Sequence, residues 1–177
     1  MKSEMATQSI VLFRKILAPV DFSPCALEAY RVALALTRVF GAELILLHVI
    51  DTKALESLDR LGLAHVTAEA GQIKRLRRHA RIKARELLDW EETKGLSIRR
   101  VVAEGIPFVE IGRLVRMDQI DLVVLGSWGG ETGNIERIFF GSTAEKVVRM
   151  AGCPVLTVPL PVPRKRSSGE LRPKENR

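Results

Sequence analysis

The sequence predicts an α/β protein with one open, parallel, five-stranded sheet that carries helices on both faces. Short apolar runs alternate with longer amphipathic stretches along the 177 residues, which is the pattern of strands joined by crossover helices. The short runs are almost wholly hydrophobic, as strands buried on both faces should be. Because crossovers between parallel strands are right-handed, a doubly wound sheet is the leading arrangement.

The first strand is predicted over residues 15–20 and the second over residues 43–50. Between them, Ser23 is typical of a helix N-cap and Pro24 of the first helical position. Apolar residues then recur on one helix face until Gly41, which indicates the end of the helix.

The remaining elements follow less evenly. Residues 51–71 give mixed helical and loop signals. Beyond them, helices are predicted over residues 72–92, 107–116 and 144–150, and strands over residues 98–103, 120–125 and 154–158.

The helix predicted over residues 72–92 is strongly basic. Its apolar residues share one face: Ile73, Leu76, Ala80, Ala84 and Leu87. Such a helix could bind nucleic acid. However, aromatic residues are sparse and the charges alternate with core positions, which favours a solvated outer face over a nucleic-acid site.

The net charge of +7 is concentrated near the C-terminus, where residues 161–177 hold six Lys or Arg and two Glu. Proline, serine and glycine are frequent there, so we expect a disordered basic tail. Such a tail could contact nucleic acid or acidic lipid, but a solubilising role is favoured. The predicted organisation is an N-terminal extension (1–13), one domain (14–160) and this tail.

Cysteine usage and hydropathy indicate a cytoplasmic protein. Cys25 and Cys153 lack the spacing of a zinc site or a disulfide framework, so free thiols in a reducing compartment are expected. No stretch approaches the roughly 18 apolar residues of a membrane span. The N-terminal residues also lack the apolar segment of a secretory signal.

The segment after the fourth strand points to a phosphate site. It supplies three glycines and two hydroxyls around a helix start: Gly126, Gly129, Gly141, Ser142 and Thr143. Glycine lets backbone N–H groups approach an anion, and a helix start offers unpaired N–H groups and the positive end of the macrodipole. Asp21 follows the first strand, so it is expected at the same edge of the sheet.

Structural roles stay open for several residues. Ser142 begins a capping box with Glu145 and could simply cap its helix. Asp21 could form an Asx turn between strand and helix. His48, inside an apolar strand, is more typical of a core residue than of a ligand, and Cys153 of a packed small hydrophobe.

Several segments, taken in order, resemble the universal stress protein family. They are APVDFS (18–23), LLHVID (46–51), AEGIP (103–107), LGSWG (125–129) and CPVLTVP (153–159). The resemblance covers about residues 14–159. It implies a Rossmann-like sheet in the order 3-2-1-4-5 and a homodimer formed through the last strand.

One branch of that family binds ATP and is marked by the spacing G-x2-G-x9-G-[ST]. This chain keeps the glycines at Gly126, Gly129 and Gly141, but 11 residues separate the second from the third. We interpret the two extra residues as a longer surface loop, since loop-length changes cost little free energy.

The resemblance implies a site for ATP with Mg²⁺. The adenine and ribose would lie against residues after the first two strands: Pro19, Val20, Asp21 and Val49. The phosphates would lie against the glycine motif: Gly126, Gly129, Gly141, Ser142 and Thr143. Any Mg²⁺ would be held mainly by phosphates and water.

The leading hypothesis is a nucleotide-binding stress-response or signalling protein that acts as a homodimer. Any ATPase activity should be slow, because the sequence has no Walker-type Gly-Lys-[ST] and no paired carboxylates near the glycines. The longer loop supports an alternative, a structural or chaperone-like dimer that binds no nucleotide. An enzyme that transfers nucleotidyl groups would need catalytic His or Lys motifs beside the phosphates, and the sequence lacks them.

Overall fold

A computed structural model describes residues 13–62, 70–128 and 141–160. The strands are β1 (Lys15–Pro19), β2 (Glu43–Asp51), β3 (Ser97–Gly105), β4 (Leu122–Gly126) and β5 (Val155–Val158). The helices are α1 (Pro24–Phe40), α2 (Thr52–Arg60), α3 (Ala70–Leu88), α4 (Pro107–Asp118) and α5 (Ser142–Met150). The predicted basic tail, Gly129 and the longer loop lie outside the described residues, as do residues 1–12 of the N-terminal extension.

All five strands are parallel and follow the order β3-β2-β1-β4-β5, as predicted. β2 and β3 pair over nine consecutive residues, from Glu43 with Ser97 to Asp51 with Gly105. β1 and β4 pair only at Ile16 with Leu122 and at Leu17 with Val123. The strand order reverses between β1 and β4, and their separation beyond this point opens a crevice at the carboxyl ends of the strands.

Helices cover both faces of the sheet, which confirms the predicted layers. On one face α1 and α3 bury Tyr30, Ala33 and Leu87 against the strands. On the other face α4 and α5 bury Ile111 and Val147. These two apolar layers fix which helices can reach each part of the sheet.

The ends of α1 follow the sequence signals. Ser23 Oγ accepts a hydrogen bond from the Ala26 N–H group, and Pro24 occupies the first turn. Gly41 closes the helix with a left-handed φ of 62°. Phe13, placed by the sequence in the N-terminal extension, packs edge-to-face against Phe40, with ring centroids 5.1 Å apart.

Side-chain hydrogen bonds set the helix ends that periodicity does not predict. The ambiguous region contains α2, which begins where Asp51 Oδ1 accepts the Ala54 N–H bond at 2.9 Å. α3 ends at Leu88, four residues before the predicted end, where Thr93 Oγ1 lies within hydrogen-bond distance of the Leu88 and Trp90 carbonyl oxygens and can donate its one proton to either. Leu76, predicted on the apolar face of α3, is 36% exposed.

Two strands also begin or end at residues other than those predicted from the sequence. β3 continues to Gly105 because its pairing with β2 runs to the end of that strand. β4 begins at Leu122, two residues later than predicted. Just before it, Asp121 Oδ2 accepts the N–H groups of Arg14 and Lys15, which fixes the start of β1.

Both cysteines are free thiols, as predicted. Cys153 packs against the layer under α4 and α5, and burial raises the pKa of its thiol, so it stays protonated. Within the described ranges, no helix is long and apolar enough to cross a membrane.

Candidate functional site

A crevice of about 280 Å³ lies at the carboxyl ends of β1, β2 and β4. The structure brings eight residues of the sequence-predicted site together along it: Pro19, Val20, Asp21, Val49, Gly126, Gly141, Ser142 and Thr143. The ninth, Gly129, lies outside the described residues. The crevice also contains residues that the sequence did not single out, among them Asp51, Pro107, Ile111 and Trp128.

The start of α5 forms one wall of the crevice. Gly141 is the N-cap residue, with φ −61° and ψ 147°, and no side chain caps the helix. Its carbonyl accepts the Glu145 N–H bond, so the N–H groups of the three residues between them precede the first intrahelical bond. Ser142 lies inside the helix, and the interpretation that it caps α5 is therefore wrong.

These donors have no partner in the part of the chain that the structure describes, and they suit an anion. The N–H groups of Ser142, Thr143 and Ala144 lie at the positive end of the helix macrodipole. All three residues line the crevice, and two of them add hydroxyl groups. The arrangement therefore has the donors that an anionic group such as phosphate requires.

Gly126 is required by packing against α1. A Cβ atom at this position would lie 3.0 Å from both the Ala26 nitrogen and the Cys25 carbonyl carbon. These are backbone atoms of the first turn of α1, so they have little room to move. The sequence predicts that this glycine admits a phosphate, whereas the structure gives it a role in seating β4 on α1.

Much of the remaining lining of the crevice is apolar. Val20 and Leu125 are 4% exposed, and Ile111 is 1% exposed. Together with Val49 and Pro107 they form a slot beside the helix start. An apolar slot next to a few directed polar groups is the usual composition of a small-molecule site.

Two carboxylates lie at the crevice. Asp21 Oδ1 accepts the Ser23 N–H bond at 2.9 Å, which confirms the Asx turn. Its second oxygen has no partner among the described residues and remains able to accept a hydrogen bond. Asp51 Oδ1 likewise holds the first turn of α2. The described lining includes no Lys or Arg, so attraction for an anion comes from backbone dipoles and hydroxyl groups.

Trp128 carries an unpaired donor. Its indole Nε1 is shielded from solvent and has no hydrogen-bond partner in the described part of the chain. A buried donor without an acceptor costs free energy, and this one belongs to a residue that lines the crevice.

His48 contacts the turn after β1, which lines the crevice. Its Nδ1 lies 2.8 Å from the Val20 carbonyl oxygen, and its ring packs on Phe22 at 4.6 Å between centroids. Burial lowers the pKa of His48, against the opposing effects of the Val20 hydrogen bond and the Asp21 charge. The neutral ring therefore donates from Nδ1 and fixes the turn after β1.

The missed residues differ in what the sequence could reveal. Asp51 follows the second predicted strand (residues 43–50) as Asp21 follows the first (residues 15–20), and that shared position was an available signal. Pro107 and Ile111 reach the crevice from α4, and only the packing of that helix brings them there. Among the described residues, no group of three or more His, Cys, Asp or Glu side chains could hold a metal ion.

Residues 12–159 match the model of the Universal stress protein family. Universal stress protein MJ0531 of Methanocaldococcus jannaschii is 33% identical over 150 residues, covering 85% of this chain and 84% of the relative. Universal stress protein MJ0577 of the same organism is 30% identical over 157 residues, covering 84% and 96%. The solved structure of MJ0577 superposes with a TM-score of 0.68 over 85% of this chain and 99% of that chain.

A universal stress protein from Archaeoglobus fulgidus, solved in complex with dAMP, has the same fold. It is 19% identical, with a TM-score of 0.54 over 83% of this chain and 98% of that chain. The match to the family covers every described strand and helix. The family match, the sequence relatives and the sheet order agree, and this chain belongs to the universal stress protein family.

Proposed function

We propose that this protein binds ATP with Mg²⁺ in the crevice and acts as a stress-response or signalling protein. One observation carries the proposal: unpaired helix N–H groups and an apolar slot share a single cavity of about 280 Å³. A nucleotide has the same division, since its base is flat and weakly polar and its phosphates are anionic.

The phosphates would lie at the start of α5. Ser142 and Thr143 can donate from both backbone and hydroxyl groups, and Gly141 leaves the approach open because it has no side chain. Bound Mg²⁺ would neutralise part of the phosphate charge and would be held mainly by phosphates and water. The described lining has no Lys or Arg side chain that could neutralise this charge instead.

The base and ribose would lie at the apolar end. Val20, Val49 and Ile111 supply a slot against which a flat ring can pack. The free oxygen of Asp21 can accept from a ribose hydroxyl while its other oxygen holds the Asx turn. The dAMP complex of the Archaeoglobus fulgidus protein supports an adenine nucleotide as the ligand class.

Binding is favoured over rapid turnover. General-base catalysis needs a side chain positioned to take a proton from the attacking water. The described lining has no His or Lys, and each carboxylate has one oxygen committed to a turn. ATP would therefore act as a bound regulator, and any hydrolysis would be slow.

Titration calorimetry with ATP and Mg²⁺ tests the proposal directly. The wild-type chain should release heat, and Gly141→Val should abolish it, because the φ and ψ of Gly141 admit a side chain that would fill the phosphate position. Thr143→Val should weaken binding by roughly tenfold through loss of one hydroxyl donor. Thr157→Val makes the same change on β5 and should leave the affinity unaltered.

Absence of heat with the wild-type chain at millimolar ATP would contradict the proposal. It would favour the structural or chaperone-like dimer. Mass spectrometry of nucleotides released from the gently purified protein gives an independent measurement, and a co-purifying adenine nucleotide is the expected result.

We also propose that two copies associate through β5. This strand pairs with β4 on one side, and its other side has no partner among the described residues. Leu156 on β5 is 39% exposed. An unprotected edge strand readily pairs with a second chain, and a symmetric dimer covers it most simply.

Sedimentation equilibrium tests the dimer. The expected mass is twice the 19.7 kDa of one chain, and Leu156→Lys should shift the equilibrium toward the monomer. Only the monomer mass at tens of micromolar protein would contradict this assembly.

A further inference from the structure

A second groove, of about 1120 Å³, lies between α3 and the outer strand β3. It shares no residue with the crevice. Seven basic residues and one acidic residue line its described part. Its charge therefore differs sharply from that of the crevice.

Four of the basic residues form a stripe along α3. Lys74, Arg78, Arg81 and Arg85 follow one another at intervals of four, three and four residues, which places them on one helix face. All four are exposed. At 1.5 Å per residue the stripe extends for about 16 Å.

The groove also has a cation from the sheet, in addition to those on α3. Arg100 on β3 donates from Nη1 to the Arg81 carbonyl oxygen at 3.1 Å, which holds its guanidinium beside α3. Nearby, Arg77 pairs with Glu104, the acidic residue of the groove. The helix and the strand thus present positive charge from two sides of one concave surface.

The stripe differs from other arginines on the surface in lacking acidic partners. Elsewhere on the described surface, Arg31, Arg113 and Arg149 each pair with a glutamate three or four residues away. No described carboxylate pairs with Lys74, Arg78, Arg81 or Arg85. A merely solvated helix face gains from interleaved charges of both signs, and this face lacks them.

We propose that this groove binds the phosphodiester backbone of a nucleic-acid duplex without reading its sequence. Arginine dominates the lining, and its planar fork matches phosphate oxygens. One strand of a duplex carries a phosphate every 3.4 Å along the axis, so a stripe of about 16 Å lies along roughly five phosphates.

The shape of the groove distinguishes a duplex from other polyanions. A concave surface fits the ridge of a nucleic-acid backbone, whereas a bilayer presents a plane. The described lining contains no aromatic residue, so the groove lacks the stacking surfaces with which proteins hold single strands. The sequence alone favours a solvated face, and the concavity and the missing acidic partners change that interpretation.

Fluorescence anisotropy with the full chain and a labelled duplex of about 24 base pairs, in DNA and RNA forms, tests the proposal. Arg78→Gln combined with Arg85→Gln removes two charges from the stripe. Arg116→Gln combined with Arg149→Gln removes the same charge from α4 and α5, across the sheet. Circular dichroism and melting curves verify that each variant folds.

Wild-type affinity should fall by roughly 100-fold between about 50 and 200 mM KCl, as four phosphate contacts require. The stripe variant should bind roughly tenfold or more weakly at the lower salt, and its log–log salt slope should be less steep by about 2. The control variant should change affinity less than about twofold, since its charges lie on α4 and α5, on the opposite face of the sheet from α3.

Equal weakening by the two variants would overturn the proposal, because it would reflect net charge or another basic segment such as residues 161–177. Absence of duplex binding by the wild-type chain would also overturn it. Preferential binding to vesicles of anionic phospholipid, lost in the stripe variant, would replace the duplex by a membrane surface.

Discussion

The crevice and the groove both suit anions, but the source of the attraction differs between them. The described lining of the crevice has two carboxylates and no Lys or Arg, and its attraction comes from the start of α5. The groove has seven basic side chains and one acidic side chain in its described lining. Backbone dipoles act within about one helix turn, whereas side-chain charges add over a longer range and are screened by salt.

This difference teaches which size of ligand each cavity can select. Fixed N–H groups at one helix start recognise a few phosphate oxygens at one place. A stripe of flexible cations recognises a row of charges and is indifferent to what lies between them. The two proposals thus assign a small ligand to the strand ends and a polymer to the groove beside β3.

The largest expected difference between the two cavities is in the salt dependence of ligand affinity. Raising KCl from about 50 to 200 mM should weaken duplex binding by roughly 100-fold and ATP binding by less than about fivefold. Anisotropy and calorimetry at matched salt measure the two slopes. Equal slopes would abolish the distinction drawn here between the cavities.

A methyl group at Gly126 should test the rigidity of the crevice wall. Gly126→Ala places a Cβ atom 3.0 Å from the backbone of α1, so we expect a loss of about 1–3 kcal/mol in the free energy of unfolding. The melting temperature should fall by about 2–12 °C.

Gly112→Ala is the matched control for that change. Gly112 is buried, and outside the backbone of α4 the one described atom that a Cβ there would meet is the Arg116 Nη1 atom at 3.6 Å. Alanine is the better helix former, so the melting temperature should stay the same or rise. Equal destabilisation by the two substitutions would show that the wall of the crevice has no special rigidity.

Asp21→Asn tests whether a directed contact from the Asp21 carboxylate contributes to ATP binding in the crevice. Asparagine can keep the Asx turn to Ser23, so stability should stay the same, while ATP affinity should fall by roughly tenfold through loss of a charged acceptor. Asp21→Ala should lower both stability and affinity. Tighter ATP binding by the asparagine variant would instead place this carboxylate against the phosphates.

His48 should give the smallest effect. Burial holds its pKa below 6.5, so between that folded-state pKa and 6.5 the unfolded chain binds more protons than the folded chain. Its contribution to stability is complete above about pH 6.5 and is lost as the pH falls through the folded-state pKa. Melting temperatures from pH 7 to pH 5 should therefore fall less steeply in His48→Gln than in wild type.

A chain of ring contacts also links His48 to α3. The Phe22 ring that packs on it has the Lys83 ammonium group of α3 at 5.6 Å from its centroid on the ring face. A pH dependence identical in His48→Gln and wild type would assign the titration to other groups and remove this residue from the comparison.

Much of the fold followed from local patterns. Hydrophobic periodicity and the caps at Ser23 and Gly41 located α1, and the apolar runs located all five strands to within about two residues. Eight predicted site residues lie together because parallel strands end at one edge of a sheet. Topology converted separated sequence positions into neighbours.

The rest depends on contacts between elements. The close approach of Gly126 to α1 and the end of α3 at the Thr93 hydroxyl are tertiary facts with no periodic signal. The basic stripe is visible in the sequence, but its groove exists only because α3 packs beside an outer strand that carries Arg100. The positive charge of α3 was therefore predictable from the sequence, and the concave shape of the groove was not.

The unequal pairing of the strands has a mechanical consequence. Nine register pairs join β2 to β3 and four join β4 to β5, but only two join β1 to β4. The sheet is therefore two firmly paired ribbons that meet along a short seam, and the crevice is the open end of that seam. A ligand seated there would contact both ribbons and resist their separation, so amide hydrogen exchange should slow across β4 and β5 when it binds. Because β5 is one of the two outer strands of the sheet, occupancy of the seam would reach the edge at which we propose that a second chain associates.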